Sequence, residues 1–298
     1  MSTDNTPVWL ITGCSSGLGI ALARKVLSNG YRVVVTARNP SSIPSLPDTN
    51  TLLKQPLDVT SKSSIKSAFA AALATFGRVD CVINNAGWGN FEEAEATPED
   101  EARGLFEVNF WGSSNVALEA VRVFRDENPA GEGGFLIQIS SLVGRVGSAG
   151  QAYYSSSKFA IEGFTESLSK ELHPDWNIKV LIAEPGAIGS TSFTKNLVSP
   201  RDIHPAYKQP GGPTLKVREW LASPTLEDGF PSNTAMAATL FDAVTKGGLP
   251  LRLPLGQDSW EAIEKSVSQT VEDLERFRDV SERPAKDTAE DNGHGEPV

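Results

Sequence analysis

Short apolar runs alternate with stretches of helical periodicity along most of the chain. Val8-Trp9-Leu10-Ile11 is followed, after a glycine turn, by Leu18, Ala21, Leu22 and Val26 at helical spacing. Five further runs repeat the strand pattern: Tyr31 to Thr36, Thr51 to Leu57, Val79 to Asn84, Phe135 to Ser140 and Ile178 to Glu184. Helical stretches such as Ser61–Thr75 and Ala152–Leu172 separate them, and the segment Glu101–Glu127 reads as another helix. Strands that alternate with helices require right-handed crossovers and a parallel sheet buried on both faces. The expected fold is α/β: one Rossmann domain, a doubly wound parallel sheet with helices on both faces, spanning residues 1–280. Ligands in such sheets bind beyond the carboxyl ends of the strands, where strand order reverses.

The regular pattern breaks down from Gly186 to about residue 215, where Ser, Thr, Pro and Gly accumulate in a stretch too long for a simple connection. This reads as a substrate loop. Two more helices, about Asn233–Thr245 and Ser259–Phe277, flank Leu251-Arg252-Leu253-Pro254-Leu255, a candidate edge strand because an edge tolerates proline. Residues 281–298 carry five acidic and two basic residues and almost no large apolar group, so they read as a disordered acidic tail.

Composition narrows the function classes. With 39% hydrophobic and 21% charged residues, the 298-residue chain is an ordinary globular protein. No apolar run reaches the roughly 20 residues of a bilayer crossing, and the amino terminus lacks a signal pattern, so a cytoplasmic location is expected. A net charge of −10 argues against a nucleic-acid partner. Two cysteines and three scattered histidines offer no metal-ligand spacing, so no metal is expected.

The candidate chemistry lies at the carboxyl ends of the strands. Thr12-Gly13-Cys14-Ser15-Ser16-Gly17-Leu18-Gly19 joins the first strand to the first helix. Its glycines let the backbone of Gly13, Ser15, Ser16, Gly17, Leu18 and Gly19 approach a pyrophosphate at the positive helix terminus; a tight turn is the other reading. After the second strand stands Arg38, with no acid to bond a ribose 2′-hydroxyl; its planar charged fork suits a 2′-phosphate, pointing to NADP(H). Asp58 and Val59 end the third strand, and Asn84-Asn85-Ala86-Gly87 the fourth. Asp58 suits an adenine amino group, and Ala86-Gly87 leave room for a ribose or nicotinamide. Taken singly, each also fits a helix cap or turn. Beyond the fifth strand, Tyr154 and Lys158 stand four apart and share a helix face, so an ammonium can favour the phenolate and fit it for acid/base work. Ser141 offers a hydroxyl to a carbonyl oxygen on the same edge.

Together, Thr12-Gly13-x3-Gly17-x-Gly19, Asp58, Asn84-Asn85-Ala86-Gly87, Asn109, Ser141, Tyr154, Lys158 and Pro185-Gly186 resemble the short-chain dehydrogenase/reductase family from about Pro7 to Phe277. Ser141 precedes Tyr154 by the thirteen residues the family uses. Leu253-Pro254-Leu255-Gly256 also resembles the branch holding hydroxysteroid- and retinol-type dehydrogenases. The resemblance implies a relay in which Tyr154 exchanges a proton with the substrate oxygen and Ser141 holds that oxygen. Lys158 would lower the tyrosine pKa and bond the nicotinamide ribose, and Asn109 would hold a water linking Lys158 to solvent. Pro185, Gly186, Ile188 and Ser190 would lie on the carboxamide side of the nicotinamide; Ser190 stands where the family usually has threonine, so either Ser190 or Thr191 makes that contact.

The implied reaction interconverts a ketone or aldehyde and an alcohol on a hydrophobic small molecule. Trp88, Val143, Val146, Phe193 and Leu197 are the candidate substrate wall, or else packing. The resemblance also implies a homodimer or homotetramer, joined through Glu101–Glu127 and Ala152–Leu172. A redox-neutral isomerase or cyclase, and an NADP(H)-binding regulatory protein, are the rival readings.

Overall fold

The computed structural model describes residues 5–189, 203–221 and 229–283. Seven parallel strands form a single sheet among the described residues: β1 (Val8–Ile11), β2 (Arg32–Ala37), β3 (Leu52–Pro56), β4 (Cys81–Asn84), β5 (Gly134–Ile139), β6 (Ile178–Pro185) and β7 (Arg252–Leu255). Their order is β3-β2-β1-β4-β5-β6-β7, so the winding reverses between β1 and β4. The edge reading of β7 holds: Pro254 pairs in register with Glu184 of β6, and among the described residues no strand lies beyond it to miss its N–H.

Alternation along the strands builds two cores. Trp9 and Ile11 of β1 point to one face with Val33, Val35 and Ile83, against α1 (Gly17–Ser28). Val8, Leu10, Val34 and Val82 point to the other, against α2 (Lys62–Phe76). Every residue of β1, β2 and β4 is buried, as a sheet covered on both faces demands. Ser61 caps α2 by accepting the N–H of Ser64, and Gly77 ends it at φ +77°, a left-handed conformation that favours glycine.

The helix expected over Glu101–Glu127 is two helices, α3 (Glu99–Phe106) and α4 (Ser113–Asp126), joined by a π-helical segment at Glu107–Gly112. The wider turn carries Asn109, and such turns often mark functional sites. α5 (Ala152–Glu171) follows β5 and bears Tyr154 and Lys158. A further helix, α6 (Pro213–Leu221), begins where the expected substrate loop ends and was not foreseen. The last two are α7 (Asn233–Lys246) and α8 (Gln257–Arg276). Helical backbone extends to Arg283, three residues past the boundary placed at 280; the rest of the acidic tail lies outside the described residues.

Candidate active site

The glycine turn is locked to the end of β4. Thr12 Oγ1 accepts the N–H groups of Asn85 and Ala86, both at 2.9 Å, and Asn85 Nδ2 donates to the Thr12 carbonyl at 2.9 Å. Gly13 sits at φ +74°, and a Cβ there would lie 2.9 Å from the Ala86 Cα. At Gly19 a Cβ would lie 2.4 Å from the Gly13 carbonyl oxygen. These contacts pull the turn flat against the sheet edge and leave the amino end of α1 open, with no acidic side chain in its first turn. Cys14 points inward; burial pushes its thiol up to about 12, so it acts as packing.

A cavity of about 1310 Å³ runs along this edge. Of the expected cofactor residues, Gly13, Ser15, Ser16, Gly17, Leu18, Arg38, Asp58, Val59, Asn85, Ala86, Gly87, Pro185, Gly186 and Ile188 all line it. Arg38 is exposed at its rim beside Asn39 and Ser42. Asp58 turns its carboxylate back on its own loop, accepting the Thr60 N–H at 3.0 Å and hydroxyl at 2.8 Å. Gly19 and Asn85 serve the cradle itself, and Ser190 and Thr191 lie outside the described residues.

Ser141, Tyr154 and Lys158 meet on the opposite wall of the cavity. Ser141 Oγ accepts the Val143 N–H at 3.3 Å, and Tyr154 beside it on the cavity wall is buried. Lys158 Nζ lies 5.9 Å from the Tyr154 ring centre and donates to the Ile139 carbonyl at 3.0 Å. The expected lowering of the tyrosine pKa by lysine is not what the chain itself produces. Burial pushes the phenol well above its usual value, and the opposing influence is the Ser141 hydroxyl. Burial also drives Lys158 down to about 8, against the pull of Glu162 one turn along the helix.

Asn109 is fully buried. It bonds the Trp88 backbone in both directions and donates to Ser157 Oγ at 3.0 Å. A Cβ on Gly87 would come within 3.1 Å of Asn109 Oδ1 and 3.6 Å of Lys158 Nζ, so glycine here keeps open the space between these groups. At Gly186 a Cβ would lie 2.1 Å from Asp258 Oδ1, and the other carboxylate oxygen accepts the Ala187 N–H at 2.7 Å. Asp258 was not among the sequence candidates, since no motif flags an acid at the start of a distant helix.

The wall beyond Tyr154 is apolar. Trp88, Val143 and Val146 line the cavity as expected; Phe193 and Leu197 lie outside the described residues. Phe91 and Phe230 also line it, with Val217 and Trp220 of the unforeseen α6. No metal-ligating cluster exists among the described residues, and none of their helices is long and apolar enough to cross a membrane.

A family model described as short chain dehydrogenase matches residues 7–202. The chain belongs to the short-chain dehydrogenase/reductase family. It is 38% identical over 288 residues to an oxidoreductase, calM, of Penicillium decumbens, covering 94% of this chain and 93% of that protein. An uncharacterized oxidoreductase, C162.03, of Schizosaccharomyces pombe is 37% identical over 282 residues, covering 93% and 91%. The crystal structure of a short-chain dehydrogenase from Streptomyces avermitilis superposes with a TM-score of 0.80 at 32% identity, covering 94% of this chain and 98% of that one. The chain is therefore an oxidoreductase of this family, whose fold binds a nicotinamide cofactor. The hydroxysteroid- and retinol-type branch remains a resemblance of the Leu253–Gly256 segment alone.

Proposed function

We propose that this short-chain dehydrogenase/reductase is an NADP(H)-dependent enzyme that interconverts a ketone or aldehyde and an alcohol on a hydrophobic small molecule. The observation that carries the reading is the meeting of Ser141, Tyr154 and Lys158, the last two one helical turn apart, on a cavity that continues to the glycine turn. The cradle fits a dinucleotide: Gly13 and Gly19 leave room for close backbone approach, and α1 offers its amino end. Arg38, exposed at the rim and without an ion-pair partner among the described residues, supports a 2′-phosphate and hence NADP(H) over NAD(H).

When bound, the nicotinamide supplies or accepts the hydride. The chain's own residues handle the oxygen. Ser141 holds the substrate oxygen, and Tyr154 exchanges a proton with it. A phenol whose pKa burial raises stays protonated through neutral pH, which suits it to give a proton and favours reduction. Lys158 extends from beside Tyr154 toward the Gly87 end of the cavity, where a ribose would lie, and Asn109 keeps the connection to the Trp88 backbone. The aromatic wall of Trp88, Phe91, Trp220 and Phe230 excludes water and favours an apolar substrate body.

Trp111 in the π-helical segment, Leu118 on α4 and Phe159 on α5 stay about half exposed, which supports a homodimer or homotetramer joined through these helices. A cytoplasmic location accords with the composition. Titration with NADPH and NADH, followed by cofactor absorbance against a panel of hydrophobic ketones, tests the reading. Loss of NADPH absorbance in proportion to alcohol formed supports it; NADPH binding without net consumption rejects it in favour of redox-neutral chemistry or a binding protein.

A further inference from the structure

Behind the Ser141–Tyr154 wall lies a buried ionic cluster that the proposed reaction does not use. Glu162 on α5 and Glu184 on β6 are both almost wholly inaccessible, 2% and 0% exposed. Ser140 Oγ donates to Glu162 Oε1 at 2.6 Å, and Arg252 Nε of β7 donates to Glu162 Oε2 at 3.1 Å. Arg145 Nη1, just past the turn that follows Ser141, reaches Glu184 Oε1 at 3.4 Å, and Arg252 Nε lies 3.7 Å from the same atom. Arg252 also bonds Glu166 at 2.7 Å. Gly144 is glycine because a Cβ there would lie 2.5 Å from both Glu162 Oε1 and Ser140 Oγ.

The cluster's members adjoin the site after β5, on α5 and on β6. Ser140 precedes Ser141, Glu162 follows Lys158 by one helical turn, and Glu184 precedes Pro185-Gly186. We propose that the Glu162–Glu184 pair, clamped by Arg145 and Arg252, is a positioning device that seats Ser141, Lys158 and the Pro185-Gly186 corner together, with one proton shared between the two acids. Arg252 Nε brings the two carboxyls together, 3.1 Å from Glu162 Oε2 and 3.7 Å from Glu184 Oε1, yet Glu184 Oε2 is buried without a donor when both are ionised. Two carboxylates cannot bond without a proton, and a proton on Glu184 supplies the missing bond. Burial and the neighbouring Glu162 push Glu184 up to about 7. The charged groups facing the pair are thus Arg145, Arg252, Glu166 and Lys158, and nothing else titratable is bonded to it among the described residues.

This rests on the reductase reading for its kinetic arm only. The test compares Glu162→Gln, Glu162→Asp and Glu184→Gln with wild type, by melting at pH 5 and pH 8 and by pH profiles of NADPH affinity and turnover. Glu184 binds its proton more tightly folded than unfolded, so its contribution to stability is present at pH 5 and lost as pH rises through about 7. Glu184→Gln reproduces the protonated acid: it melts within 2 °C of wild type at pH 5 and above it at pH 8, as a rough expectation. Glu162→Gln removes the charge that holds Lys158 up, so the alkaline limb moves at least about half a unit toward acid and kcat falls about tenfold with KM within about threefold, while Glu162→Asp restores the limb. A Glu184→Gln chain that melts below wild type at both pH values overturns the shared proton. An unmoved limb and unchanged kcat in Glu162→Gln overturn the positioning role. A wild-type chain that binds NADPH but turns over no carbonyl rejects the reductase reading instead, and the limb is then read from NADPH affinity.

Discussion

Asn109 and Trp88 hold each other by two hydrogen bonds: Asn109 Nδ2 donates to the Trp88 carbonyl at 2.8 Å, and the Trp88 N–H donates to Asn109 Oδ1 at 3.0 Å. This carboxamide clamp ties the π-helical segment to the loop after β4 at the point where Gly87 opens toward Lys158. Asn109→Ala leaves two half-buried backbone groups of Trp88 without their side-chain partner, at a cost of up to about 1–3 kcal/mol each before relaxation. The expected outcome is a melting temperature lower by several degrees and turnover reduced about tenfold or more, measured by thermal scan and steady-state kinetics.

Lys158 makes the site a stability liability with a defined pH signature. Its folded pKa, driven down to about 8 by burial, lies below the unfolded value of about 10.4. Below about 8 the folded chain carries the full penalty of a buried ammonium, of the order of 3 kcal/mol; the penalty fades as pH rises from 8 toward the unfolded value. Lys158→Met therefore raises the melting point at pH 7 by about 5 °C, with the gain shrinking toward pH 10, while turnover falls at least about a hundredfold. A variant that melts lower than wild type at pH 7 would show that the ammonium is stabilised rather than strained.

Gly19→Ala forces a Cβ to 2.4 Å from a backbone carbonyl that cannot swing away, because Asn85 holds the same turn. The turn must lift from the sheet edge. NADPH affinity is expected to drop at least about tenfold, accompanied by a stability loss of about 1–3 kcal/mol. Fluorescence titration and urea unfolding measure the two effects separately.

Much of this site is legible in the sequence because its residues follow strands whose apolar pattern is clear. Gly13, Asn85, Ser141 and Pro185 each end such a run, and a parallel sheet brings those ends to one edge. Tyr154 and Lys158 are legible by helical spacing. The π-helical turn at Asn109 is not, because a one-residue widening barely disturbs the period of the long helical pattern over Glu101–Glu127. Nor is α6, whose Pro213 and neighbouring glycines read as loop although proline suits a first helical turn. Asp258 and the Glu162–Glu184 pair escape notice for a different reason: their roles come from contacts between elements 71 and 22 residues apart. The direction of the Tyr154 shift also escapes it, since burial depth is a property of the packed fold.

Arg38→Ala tests the cofactor choice. The side chain is exposed and has no ion-pair partner among the described residues, so its loss should leave stability unchanged. NADPH affinity is expected to fall about 10–100-fold at low salt while NADH affinity shifts less than about threefold. Equal losses for both cofactors would assign Arg38 to general electrostatics rather than to a 2′-phosphate.

The central claim, that Tyr154 is the proton-transfer residue of a net reductase, is tested most directly by Tyr154→Phe. NADPH oxidation and alcohol formation are followed together on the best carbonyl of the ketone panel, with NADPH affinity measured on the same protein. Removing one hydroxyl from a buried ring leaves the cavity and its glycine turn in place, so NADPH affinity within about threefold of wild type and turnover lower by about a thousandfold are predicted. Turnover within tenfold of wild type, with the cofactor still bound, would contradict the account.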